Sequence, residues 1–416
     1  MTAATSIAIN DHICGILLRY FRSAFQVEVG KPRVDLLRDM DLLRLHWSIS
    51  PALRKLTDYI IANRHETQSF LTFRVSVEAG VVRGRLDARA TMIRHILTGN
   101  TAETVALAPV RSFATGPNHV VAWVLQQAWL LSGRFLSLLP EATGYRLAVE
   151  DEAQRLEKVR KIEAIRTAMA ETNLSQRPGR GSLQEAARSR KGMYRLAHHA
   201  FMDLVAIESG DLNAIERMLR ATLLGPLDEW QRFELAVGLG LADSLEKMLQ
   251  TRAVFNVLQG ESKAPLARIG RFSVFWQNRR PLGIEYIEAE PEPAEQIVQS
   301  ILSTYGLQAS SDRPDLVVAD MEAGKVVAVI EVKFFGGEAE DRMDRVRAAT
   351  EQLVRYSRGY RPLATISELL DRSVIALISN AVEIPSPRPV GVPIIVDFED
   401  IRQGRLSAWA GHLLHL

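Results

Sequence analysis

From Asp35 to Asn63 apolar residues recur at helical spacing: Leu36, Leu37, Met40, Leu42 and Leu43, then Leu53, Leu56, Tyr59 and Ile60, with a break at Ser50-Pro51. Spacings of three and four place such residues on one helical face, and a proline opens a helix more readily than it continues one. A helical hairpin is expected. The period then drops to two, with Leu71, Phe73, Val75 and Val77 alternating with Thr72, Arg74 and Ser76 before Ala79-Gly80 leads into Val81 to Leu86. That alternation predicts a small β-hairpin.

Helical spacing returns from Asn118 to Leu139 and again from Glu150 to Glu171, where Leu156, Val159, Ile162, Ile165 and Met169 form one stripe. The segment Ser175 to Lys191 holds Pro178, Gly179 and Gly181 and reads as a linker running into a helix. Its Arg177, Arg180, Arg188, Arg190 and Lys191 face a single acid, Glu185, as expected of a solvated loop. Further helices are expected over Lys191 to Ser209, Leu212 to Leu223 and Leu227 to Gln250. Beyond Gly260 the pattern becomes mixed: strands over Ile269 to Trp276, Leu282 to Ile287, Leu316 to Ala319 and Val326 to Lys333, and helices over Pro293 to Thr304 and Glu338 to Ser357. Strands over Ser373 to Ile378 and Val392 to Phe398 close it. The expected organisation is a mainly α-helical region over residues 1–222, for recognition or partner docking, and an α/β domain over 223–416.

With 416 residues, 47% of them hydrophobic, the chain can bury ordinary cores. A single cysteine, Cys14, excludes an internal disulfide and any thiolate cluster, which leaves oxygen or histidine ligands for a metal. The stretch Met1 to Asn10 lacks the basic and apolar regions of a secretion signal, and no apolar run is long enough to span a bilayer. A cytoplasmic protein without a membrane partner is expected. The net charge of +2 does not itself indicate nucleic acid, so charge has to be judged locally.

The chemistry concentrates in Arg313-Pro314-Asp315-Leu316-Val317-Val318 and in Lys325-Val326-Val327-Ala328-Val329-Ile330-Glu331-Val332-Lys333, two apolar strands joined through Glu322-Ala323-Gly324. A period of two puts Glu331 and Lys333 on one face of their strand with Val332 opposite. Charges among such apolar neighbours are costly unless paired or bound to a cation. Asp315 and Glu331 on adjacent strands suit Mg2+, with Mn2+ as an alternative, and Lys333 suits orienting a water or stabilising developing charge during phosphodiester hydrolysis.

This pattern resembles the PD-(D/E)xK nuclease superfamily over roughly residues 227–398. Nine lysines among 49 acids in 416 residues predict about one acid-x-Lys triplet by chance, and the chain holds two. Glu261-Ser262-Lys263 lies in a Gly/Pro-flanked loop, whereas Glu331-Val332-Lys333 ends an apolar strand and follows a Pro-Asp. The helix after it carries Gln352 and Tyr356 at the Gln-x-x-x-Tyr spacing of RecB-like members, on one helical face. The resemblance implies a restriction-endonuclease-like core and a further acid from its first helix. Glu234 is preferred over Glu295, because a Phe-Glu pair opening such a helix is similar to McrC-like nuclease subunits. Arg83-Gly84-Arg85-Leu86-Asp87 and Pro109 to Asn118 resemble the middle region of those proteins.

That family resemblance implies an endonuclease, acting on DNA in a bacterial restriction or anti-phage defence system, with an AAA+ or helicase-type motor as partner. The alternative is a non-catalytic scaffold binding nucleic acid or protein, or an ion pair of Glu331 with Lys333 that is purely structural. His198-His199 point about 100 degrees apart on a helix and are not expected to share a metal. Trp276 is expected in the core, and no nucleophile elbow or Walker loop occurs.

Overall fold

The computed structural model describes residues 3–25, 34–138, 144–256, 264–278, 280–284, 286, 313–334, 339–360, 365–378 and 389–414. The chain divides into two compact units that interleave along the sequence: Met1–His46, Leu138–Leu147 and Gly210–Leu416 form one, Trp47–Ser137 and Ala148–Ser209 the other. A single cut near residue 222 therefore does not describe the organisation. The Ala3–Phe25 helix packs on Glu229–Leu249, which draws the first residues into the same unit as the α/β region.

In the unit built on Trp47–Ser137, the Pro51–Ala62 helix buries Leu53, Leu56 and Ile60 and packs on the Gly192–Glu208 helix. A Cβ at Gly192 would lie 2.6 Å from the Tyr59 ring, so a larger residue there would have to displace that ring. The small sheet departs from the expected hairpin. Strand β1 (Phe70–Ala79) pairs not with its neighbour but with β3 (Glu103–Ser112), antiparallel with Phe73 opposite Pro109, while β2 (Arg85–Leu86) borders the other edge of β3. The Ala88–Thr98 helix intervenes, capped by the Asp87 carboxylate and ended by Gly99 at φ 67°. Pro109 and the alanines of β3 hid this strand from a reading based on alternation.

Two further departures are local. The stripe from Glu150 to Glu171 is two helices, Gly144–Arg160 and Glu163–Glu171, with Ile162 extended between them. The basic segment from Ser175 to Lys191 contains the helix Arg180–Arg188, whose Ala186 is buried.

The other unit holds a seven-stranded sheet in the order β10-β9-β8-β7-β6-β5-β4. Its strands are β4 (Val254–Phe255), β5 (Ala267–Ile269), β6 (Phe272–Trp276), β7 (Leu316–Asp320), β8 (Lys325–Lys333), β9 (Val374–Leu377) and β10 (Ile394–Asp397). Strands β4 to β8 are antiparallel neighbours; β8, β9 and β10 run parallel. The buried runs of β6 to β9 are mostly apolar because helices cover both faces, with Ser273, Asp320 and Glu331 the buried polar exceptions among them. Glu229–Leu249 lies on one face, where Gly238 allows Leu266 and Leu316 to close on it and Gly240 admits Ile401. On the other, Ala339–Gly359 and Ile366–Arg372 pack on Val317, Val329, Ile375 and Leu377 through Leu353, Tyr356 and Leu369.

Leu282–Ile284 form a turn, not the start of the expected strand. The helix expected over Pro293 to Thr304, and Glu295 with it, falls outside the described residues. No helix among the described residues is long and apolar enough to cross a membrane.

Candidate active site

Strands β7 and β8 bring the acidic motif together. Leu316 pairs with Ile330 and Val317 with Val329, so Asp315, just before β7, sits across from the end of β8 that carries Glu331 to Lys333. One Asp315 oxygen accepts the backbone N–H of Val332 at 2.7 Å, which ties the two motif halves to each other. Glu331 lies beside Ile375 of the parallel β9 and is only 2% exposed.

Lys333 shares a face with Glu331, as a period of two requires, and donates from Nζ to Glu331 Oε1 at 2.6 Å and to Gln352 Oε1 at 2.5 Å. Gln352 thus fixes the ammonium from the covering helix. Tyr356, one turn on, places its ring in the core and donates its hydroxyl to the Arg313 carbonyl at 3.1 Å, so it supports the strand entrance that presents Asp315.

Glu234 arrives from the opposite layer. Its Oε2 accepts from Trp276 Nε1 at 2.8 Å and from Gln277 Nε2 at 2.7 Å, and it is 4% exposed. Gln277 is the hinge of this arrangement. Its backbone N–H donates to the Asp315 carbonyl at 2.8 Å and its side-chain oxygen accepts from Arg313 at 2.6 Å. It adopts φ 49°, a conformation rare for a residue with a side chain. Sequence reasoning missed Gln277 and Arg313 as site residues and assigned Trp276 to the core, which holds for its ring. Arg313 stood two residues before Asp315 and was legible as a neighbour; nothing in the sequence marked Gln277.

Electrostatics follow from burial. Desolvation first, then the charge of Asp315, pushes Glu331 up to about 8, even though Lys333 pulls the other way. Glu234 is pushed up to about 8 by the same two causes in the same order, against the donors Trp276 and Gln277. Burial raises Asp315 as well, opposed by the Val332 N–H and by Lys333. Three carboxyl groups thus crowd one buried end of the sheet, and they repel one another when ionised.

Among the described residues no three Asp, Glu, His or Cys side chains are grouped as a ready-made metal cage. The donor set nevertheless fits a hard divalent ion held by one or two carboxylates with retained waters. Among the described residues Glu331 Oε2 is buried without a hydrogen-bond partner, and Asp315 lies close enough to raise its pKa. A cation would supply the missing partner and relieve the repulsion.

No known family's sequence pattern matches the chain, and no curated protein matches it. Among solved structures the chain is similar to one in the refined half-complex from the tetradecameric assembly of Thermococcus gammatolerans McrB AAA+ hexamers with bound McrC. The two share 13% identity at a TM-score of 0.24, over 94% of this chain and 69% of that one. A similarity of that size does not by itself bear on partner or activity.

Proposed function

We propose that this chain is a metal-dependent phosphodiesterase of the PD-(D/E)xK kind, cleaving DNA in a restriction or anti-phage defence system together with an AAA+ or helicase-type motor. The observation that carries the reading is the buried, unpartnered Glu331 Oε2 beside Asp315 and the Lys333 ammonium. The defence setting and the motor rest on the sequence resemblance to McrC-like subunits alone.

Asp315 and Glu331 would hold Mg2+ or Mn2+, with Glu234 as the further acid. When bound, such an ion supplies Lewis-acid polarisation of the scissile phosphate and a more acidic water. The chain's own groups do the rest. Lys333, held by Glu331 and Gln352, stands ready to donate to a phosphoryl oxygen as negative charge develops there. Gln352 limits its travel, and Arg355, whose charge reaches Glu331, adds positive potential on the same side. Val332 N–H, through Asp315, and Gln277, through Glu234, hold the two outer carboxylates in place, so no reorganisation is needed when substrate arrives.

A second reading is favoured by the Glu331–Lys333 ion pair at 2.6 Å: a non-catalytic scaffold in which that pair is structural. Incubation of purified protein with plasmid DNA and with RNA, in Mg2+ and in EDTA, separates the two. Mg2+-dependent cleavage by the wild type and none by Glu331→Ala is expected. Absence of cleavage by the wild type under every one of these conditions would leave the scaffold, and cleavage unchanged by Glu331→Ala would remove Glu331 from any hydrolysis observed.

A further inference from the structure

Wholly within the unit built on Trp47–Ser137 and Ala148–Ser209, which holds none of the three site carboxylates, lies a cavity of about 800 Å³ whose walls are cationic. Arg64 and His65 enter it from beyond the Pro51–Ala62 helix, Arg111 from β3, and Lys158 and Lys161 from the end of the Gly144–Arg160 helix and the turn after it. One acid, Glu163, also lines it, and Arg166 neutralises that acid at 2.5 Å.

The bases themselves are not neutralised. Among the described residues Arg64, His65, Arg111 and Lys158 form no ion pair, and Lys161 meets Glu157 only at 3.9 Å. Residues far apart in sequence converge here from three elements, so this is not a run of charge along one solvated helix. Like charges gathered around a concavity repel one another and focus a positive potential on its interior, which an anion relieves. The first turn of the Glu163–Glu171 helix faces the same space. Its N-cap, Ile162, supplies no side-chain hydrogen bond, so backbone N–H groups there add to the field.

The anion's chemistry can be narrowed. Two guanidinium groups suit the paired oxygens of phosphate, and the lysines act as point charges beside them. The volume lies within the range of small-molecule sites and exceeds what inorganic phosphate needs. Half-buried Phe113 and Ile162 supply an apolar wall on which a base can lie. We propose that this cavity binds nucleotide phosphate, with Arg64, Arg111, Lys158 and Lys161 neutralising the phosphates and Phe113 contacting the base. A nucleotide unit of a DNA strand and a free nucleoside triphosphate share this chemistry. The proposal does not depend on the nuclease reading.

The test uses the full chain in EDTA, where no cleavage can occur, with a fluorescently labelled ten-nucleotide single-stranded DNA followed by anisotropy, and GTP as competitor. Wild type should bind the oligonucleotide, and Arg111→Gln with Lys158→Gln should weaken binding at least tenfold. Loss of two phosphate contacts should also flatten the slope of log affinity against log salt by about 1.4. Glu163→Gln removes the lining acid and should tighten binding, a gain that misfolding cannot imitate. Lys247→Gln with Arg402→Gln, which removes two exposed cations of the other unit, should bind as wild type does, so a general loss of positive charge and loss of this pocket are read separately. Displacement of the oligonucleotide by equimolar GTP would assign the site to free nucleotide, and resistance to excess GTP would assign it to the strand. Absence of binding to both probes, or equal affinities in wild type and the double variant, would overturn the proposal.

Discussion

Glu331→Gln, compared with wild type across pH in the absence of metal, probes the electrostatics of the carboxyl cluster directly. Glu331 is 2% exposed, and burial with Asp315 lifts its pKa from 4.5 to about 8. A carboxyl whose folded pKa lies above its unfolded value binds its proton more tightly when folded. Its contribution to stability is therefore complete below pH 4.5 and is lost as pH rises through about 8. Each pKa unit is worth about 1.4 kcal/mol, which sets a ceiling on the order of 5 kcal/mol for this shift. Because Asp315 titrates with it and shares the effect, about 2–3 kcal/mol is expected of Glu331 itself. Glutamine keeps the shape and cannot ionise. Urea unfolding in EDTA at pH 5 and pH 8.5 should show wild type losing about 2–3 kcal/mol more than the variant over that interval. His12, which burial holds down at about 4, is common to both proteins and cancels in the difference. The pull of Lys333 on the ionised carboxylate is already contained in the value of about 8 and needs no separate allowance. Parallel pH dependences in the two proteins would refute the assignment of Glu331 as a carboxyl strained by burial and by Asp315.

Mg2+ should raise the melting temperature of wild type, since a ligand confined to the native state adds about 2.7 kcal/mol at a hundredfold excess over Kd; Asp315→Asn should lose most of that gain, and equal shifts in thermal melts of both would move the ion elsewhere. Lys333→Ala should lower plasmid cleavage by at least a hundredfold with Mg2+ binding retained in calorimetry, whereas loss of Mg2+ binding would make Lys333 a structural partner of Glu331 instead. Gly238→Ala would set a Cβ 2.6 Å from Leu266 and 2.9 Å from Leu316, and overpacking of that kind costs about 1–3 kcal/mol, measured as a lower urea midpoint; an unchanged midpoint would mean that the helix can lift off the sheet without loss.

Sequence legibility followed the strength of local patterning. Apolar runs bounded by turn residues, Leu316 to Ala319 and Val326 to Lys333, lie within the strands β7 and β8, because burial on both faces leaves only such runs. The same alternation that marked β1 misled about its partner: adjacency in sequence suggested Val81 to Leu86, but pairing was won by β3 across an intervening helix. The break at Lys161-Ile162 had no glycine or proline to announce it. At the site, Asp315, Glu331 and Lys333 were readable because charge among apolar neighbours is itself a signal. Gln277 was not, since its role depends on a left-handed backbone angle and on Glu234 and Arg313, 43 residues before it and 36 after it in the chain.

The arrangement of the carboxyl groups also bears on whether the Glu331–Lys333 pair alone explains the site. A structural ion pair needs one acid and one base, each with its remaining polar atoms satisfied. Here one oxygen of Glu331 meets Lys333 and the other meets no donor among the described residues. Asp315 and Glu234 add further buried acid beside it, and both of those are held by dedicated donors, Val332 N–H for one and Trp276 and Gln277 for the other. Gln277 does so from a strained backbone. Replacing Glu234 and Asp315 by apolar residues would relieve the repulsion and favour the ionised Glu331 that pairs with Lys333, so stability alone gives no reason for them in this position. On the proposed function a divalent cation at this end of the sheet would be shared by these groups, and the Mg2+ experiments address whether one binds there.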